Sequence, residues 1–126
     1  MQIPASVDLN AWRNADWTEL FEFADGPIPL NLTGWSFALQ VRAQPGQVGA
    51  ALVSLTMGAG LTSAGADLLA GVLNLRVLAA TMEALAASPE PGAPLVLHYD
   101  LKATTPAAVV SLFLEGRLML WNGVTR

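Results

Sequence analysis

The 126-residue chain carries a net charge of −4 and contains no cysteine. That length gives one domain, residues 1–126, with a radius of about 14 Å and enough interior to fold unaided, while the missing thiols exclude disulfides and thiolate chemistry. The six basic residues, Arg13, Arg42, Arg76, Lys102, Arg117 and Arg126, are scattered, so no row neutralises phosphates and nucleic-acid binding is not expected.

Residues 1–5 hold neither a positive stretch nor an apolar run, so no secretory signal is expected. Pro4, Asn10 and Asn14 restrict residues 1–15 to a short strand near 6–9 followed by an irregular turn. Residues 16–24 read as a strand, with Trp17, Phe21 and Phe23 on one parity and Thr18, Leu20 and Glu22 on the other. Glu19 breaks the apolar parity and predicts a strand end or bulge there. Five of the ten acidic residues, Asp8, Asp16, Glu19, Glu22 and Asp25, fall in the first 25 positions. They make either an acidic docking edge for a basic partner or a solvated edge strand protected from edge-to-edge pairing.

Asp25-Gly26-Pro27 is a turn signal, but Pro27 and Pro29 argue against immediate re-pairing, so residues 28–32 are expected to be an extended excursion. After Thr33-Gly34 a strand alternates strictly: Trp35, Phe37, Leu39 and Val41 against Ser36, Ala38, Gln40 and Arg42. The interval 43–66 is uncharged but is broken by Gln44, Pro45, Gly46, Gln47, Gly49, Ser54, Gly58 and Gly60, so no membrane span is expected. Pro45-Gly46 turns the chain into a strand at 50–57, with Ala51, Val53, Leu55 and Met57 inward. A loose stretch with a short strand at 61–63 follows, then an alternating strand at 72–78.

Residues 81–87 carry the one helical signal, with Thr81 as N-cap and Glu83 in the first turn, ended by Pro89, Pro91, Gly92 and Pro94. Residues 95–102 form a strand placing Leu95, Leu97, Tyr99 and Leu101 opposite His98, Asp100 and Lys102. A turn at 104–107 leads to a strand over 109–121, either long or bent at Glu115-Gly116. The pattern predicts an all-β chain: an antiparallel β-sandwich of seven to eight strands with one short helix, a barrel being the alternative. Charged residues are 13% of the chain, about half the ordinary share. Either other subunits cover part of the surface, or the apolar count reflects single exposed alanines.

His98 shares a strand face with Asp100, the order of a base and its orienter, but such i,i+2 pairs arise readily without function and no Gly-x-Ser-x-Gly elbow accompanies this one. One histidine and no cysteine exclude the usual zinc sets, and no calcium loop or phosphate loop is present. Asn31-Leu32-Thr33 matches the glycosylation acceptor pattern, a match common by chance. No catalytic, cofactor or metal site is therefore expected. Trp17 and Trp35 are in phase with core residues, whereas Trp12 and Trp121 are candidates for an interface or a sugar-stacking platform. Asp16, Glu19 and Glu22 complete the candidate interface as its acidic part.

Ala24-Asp25-Gly26, Leu30, Leu32-Thr33-Gly34, Phe37 and Gln40-Val41-Arg42 form one motif series; Leu78, Thr81, Leu85, Pro91-Gly92 and Tyr99-Asp100-Leu101 form a second; Leu114-Glu115-Gly116 opens a third. In order and spacing this series resembles a family of small phage and prophage tail proteins that includes the N-terminal domain of baseplate upper proteins. The resemblance implies a virion structural protein, made in the bacterial cytoplasm and built into the tail or baseplate. It implies contacts with other tail subunits and self-association into symmetric rings, without catalysis. The proline-rich stretch 89–94 and the acidic N-terminal edge depart from the family pattern.

Overall fold

A computed structural model describes residues 5–45, 49–90 and 92–122. The first half holds strands β1 (Ala5–Ser6), β2 (Leu9–Trp12), β3 (Trp17–Glu22), β4 (Ala24–Asp25), β5 (Ile28–Pro29) and β6 (Ser36–Arg42). Then come β7 (Val53–Met57), β8 (Gly60–Thr62), helix α1 (Ala66–Ala70), β9 (Val72–Val77) and helix α2 (Ala79–Glu83). The chain finishes with β10 (Leu95–Thr104) and β11 (Val110–Trp121). Nine strands form one mixed sheet nearly closed into a barrel, in the order β1-β11-β10-β6-β7-β8-β9-β3, with β2 also on β11. The β4–β5 hairpin stands apart.

The chain is all-β, as its alternation predicts, but the sheet is not uniformly antiparallel. β1 and β2 run parallel to β11, and β7 runs parallel to β8. Two-residue strands raise the number of strand segments above seven or eight, and a second helix joins the one expected. Instead of one strand near 6–9 there are two, interrupted at Val7 and Asp8, where the segment bonds to β10 and β11 through side chains. Gly46 of the expected Pro45-Gly46 turn, and Pro91 of the stretch expected to end the helix, lie outside the described residues.

Alternation places the core. Phe37, Leu39 and Val41 of β6, Leu73, Leu75 and Val77 of β9, Leu97, Tyr99 and Leu101 of β10, and Leu118 and Leu120 of β11 are buried on the inner face. β11 carries a bulge at Phe113, where Leu101 pairs with Leu114 but Lys102 pairs with Leu112. The extra residue lets Phe113 and Leu114 both point inward, and the Phe113 ring meets Phe23 (5.3 Å), Trp35 (5.6 Å) and Phe37 (6.1 Å). The irregularity thus lies two residues before the Glu115-Gly116 bend expected from the sequence.

Other expectations are corrected by hydrogen bonding. The β4–β5 hairpin does form, with Asp25 opposite Ile28 and Ala24 opposite Pro29. Gly26 takes φ 61° in the turn, and Pro29 occupies a position where the ladder needs no N–H, the next bond running from the Leu30 N–H to the Phe23 carbonyl (2.9 Å). Glu19 causes no bulge: it stays in register opposite Leu75, and its carboxylate accepts the Trp17 indole N–H (2.9 Å). The second helix begins two residues before Thr81, with Leu78 as N-cap. Its cap is remote, the Ala79 N–H donating to Asp16 Oδ1 (2.7 Å).

The β2–β3 connection grips both ends of α2. Asp16 takes the N-terminal amide, while Arg13 donates to the carbonyls of Glu83 and Leu85 (2.9 Å each) at the C-terminal end. Met82, wholly buried, and Leu85 point from this segment into the core, closing it beside the β2–β3 connection.

Candidate functional site

The outward face of β6, β10, β11 and β2 brings together most of the residues that carry chemistry. Because Leu39, Val41, Leu97, Tyr99, Leu118 and Leu120 point inward, the intervening residues of the same strands point out. Register then assembles them into rows across the strands. Arg42 pairs with His98 and His98 with Arg117, while Gln40 pairs with Asp100 and Asp100 with Glu115. A shallow groove of about 510 Å³ lies over these rows, walled by Ser6 and Asp8 on one side and Gln44 and Pro45 on the other.

Electrostatics within the groove is uneven. The Arg117 guanidinium is held by Asp8 (2.8 Å), whose carboxylate also accepts the Arg117 backbone N–H (3.2 Å). These bonds from Arg117 hold the Asp8 carboxyl below its usual range, and Asp8 in turn raises Arg117. The Arg42 guanidinium donates to Gln40 Oε1 (3.1 Å) and to the Gly49 carbonyl. Among the described residues His98, Asp100 and Glu115 make no side-chain hydrogen bond or ion pair. The His98–Asp100 pair therefore shares a face without forming the bond of a base and its orienter. Among the described residues no group of three or more His, Asp, Glu or Cys side chains is placed to hold a metal ion.

Behind the groove, the Tyr99 hydroxyl donates to the Val7 carbonyl (2.6 Å), tying β10 to the β1–β2 segment across β11. Burial, followed by the nearby Asp8 and Glu19 carboxylates, pushes the Tyr99 phenol up to about 12. Gly116 permits this crossing: a β-carbon there would overlap the Val7 carbonyl oxygen and lie 2.8 Å from its carbon.

Further along the same face, Trp12 and Trp121 sit directly opposite each other in the parallel β2–β11 pair. Trp12 is 47% exposed, and the Trp121 indole N–H is fixed by Asn10 Oδ1 (3.1 Å). Val96, also exposed, pairs with Met119 in the row between the tryptophans and Arg117. The two tryptophans singled out in the sequence thus form one aromatic edge.

The acidic candidates do not converge. Asp16 is committed to Arg76 (3.0 Å) and to the α2 cap, and the Ala79 N–H, then Arg76, lower its carboxyl from the usual value. Glu19 faces inward beside Trp17, and Glu22 lies on the opposite, exposed parity of β3. Among the described residues β3 ends the sheet path, paired with β9. Sequence reading missed Arg42, Arg117, Gln40 and Glu115 as neighbours of His98 and Asp100; the one signal for them was their position on outward parity. Among the described residues no helix is long and apolar enough to cross a membrane. No family model matches the chain, and no curated protein matches it.

Proposed function

We propose that the chain is a structural subunit of a phage or prophage tail or baseplate, working by protein–protein assembly in the virion and not by catalysis. The observation that carries the assembly reading is the outward Trp12–Trp121 pair in register on neighbouring strands. Exposed, laterally braced aromatics lose little side-chain freedom on docking and are frequent interface anchors. The tail assignment itself rests on the motif series at residues 24–42, 78–101 and 114–116. In this role the sheet acts as a two-layered sandwich, β6, β10 and β11 packed on β3, β8 and β9, a view supported by the edge-on contact of Phe113 in β11 with Phe23, the residue just past the end of β3. Its partners are neighbouring tail subunits and further copies of itself.

The test is sedimentation of the purified chain alone and with the tail proteins encoded beside it. A discrete oligomer or a defined complex is expected, and Trp12→Ser should abolish the complex while the variant still folds cooperatively, at a cost of about 1–3 kcal/mol for the half-buried indole. A native chain that stays monomeric and binds none of those proteins refutes the reading. The same tryptophan edge, flanked by Asn10, favours a second reading as a carbohydrate-binding module for host-surface glycans. Tryptophan fluorescence that stays unchanged across a glycan panel removes it.

A further inference from the structure

Two rows of the groove carry opposite chemistry. Arg42, His98 and Arg117 form one line across β6, β10 and β11; Gln40, Asp100 and Glu115 form the next line on the same three strands. Within the second line Asp100 and Glu115 stand directly opposite each other, an arrangement that repels. The rows are two residues apart along each strand, a spacing of roughly 6.7 Å.

We propose that this face docks on a second copy of itself about a two-fold axis lying across the strands, between the two rows. Such an axis turns the sheet over and lays each strand on its own copy. Arg42 then faces Gln40 of the second copy, His98 faces Asp100, and Arg117 faces Glu115, and each contact occurs twice. The unpartnered carboxylates of Asp100 and Glu115 gain a cationic or imidazole partner, which relieves their mutual repulsion. The groove between Asp8 and Pro45 gives the long arginine side chains of the other copy room to enter. An isologous contact of this kind requires a self-complementary patch, and alternating rows of opposite character supply it. The inference deepens the assembly reading, on which it rests for self-association, by naming a contact separate from the tryptophan edge.

The test is charge exchange read by analytical ultracentrifugation, with circular dichroism to confirm folding. The native chain should be dimeric. His98→Glu sets a new carboxylate over Asp100 of the second copy, and Asp100→Lys sets a new ammonium over His98. Each variant alone should therefore dimerise at least about tenfold more weakly. An equimolar mixture of the two should restore the dimer, since the carboxylate introduced at position 98 of one copy then meets the ammonium introduced at position 100 of the other. Glu115→Arg, on the neighbouring strand, should give the same loss and serves if either variant does not fold. Trp12→Ser should leave this dimer intact, which separates failure here from failure of partner binding at the tryptophan edge. A monomeric native chain, folded single variants that dimerise like the native chain, or a mixture that stays monomeric overturns the proposal.

Discussion

Gly116 sits where three strands and one side chain must share space, which makes it the sharpest test of how the groove is built. In the Gly116→Ala variant the new methyl group would overlap the Val7 carbonyl oxygen and press 3.3 Å from Tyr99 Cε1. The obstacle is backbone, so it cannot be removed by a rotamer change. β1 and the following residues would have to lift from β11. Overpacking of this kind costs about 1–3 kcal/mol. Lifting Val7 also breaks the bond from the Tyr99 hydroxyl, worth about 1 kcal/mol. The expected total is about 2–4 kcal/mol, or a drop in Tm of roughly 8–16 °C for a chain of this size. Tyr99→Phe isolates the second contribution and should cost only about 1 kcal/mol. Thermal and urea unfolding of both variants read these values. A Gly116→Ala protein melting within about 2 °C of the native chain, or one less affected than Tyr99→Phe, would refute the geometry.

Three further outcomes follow from the same contacts. The chain has one tyrosine, so ultraviolet titration reads Tyr99 alone; it should ionise near 12 in the folded protein. Because the folded value lies above the ordinary phenol value of 10.0, the native state holds the proton longer, and stability should fall as pH rises from about 10 to 12. Asp8 and Asp16 are shifted the other way, so their contributions are present at neutral pH and lost as pH falls below about 4. Asp16→Asn and Asp8→Asn should each flatten the acid limb of a stability–pH profile, and an unchanged limb contradicts these assignments. Met82→Ala removes the wholly buried side chain of α2 and should cost about 2–5 kcal/mol in urea unfolding. A loss below about 1 kcal/mol would mean that α2 does not seal the core.

The strands that the sequence showed most clearly are those whose two faces differ most. β6, β9 and β10 alternate without exception, and their buried residues are the ones on the expected parity. What escaped notice was set by hydrogen bonds and not by polarity. Pro29 looked incompatible with a hairpin because proline lacks a donor, but ladder phase decides whether that donor is needed. Glu19 looked like an interruption because its partner, the Trp17 indole N–H, cannot be read from alternation. α1 is only five residues long with no residue fully buried, too short to display a helical period. It is fastened by the Leu32 N–H to the Leu68 carbonyl (2.7 Å) and by Asn74 to Asp67 (3.1 Å).

The same distinction governs the site. That His98 and Asp100 share an outward face follows from period two alone, and so does the outward parity of Arg42 and Gln40. Which residues stand beside them depends on register between β6, β10 and β11, and a one-residue slip would turn either neighbouring strand inside out. The bulge at Phe113 makes the point concrete. Were Phe113 paired in a regular ladder instead of bulged, pairing carried from Lys102 and Leu112 would set Asp100 opposite Leu114 and His98 opposite Gly116, so the rows would mix core and surface groups. By leaving Phe113 unpaired, the bulge that buries Phe113 and Leu114 together also keeps Glu115 beside Asp100 and Arg117 beside His98. The bulge therefore uncouples core packing from the charge pattern: deleting Phe113 should cost stability through the lost ring but leave the rows in register, since Leu114 would follow Leu112 directly and still pair with Leu101, whereas His98→Glu should cost self-association alone.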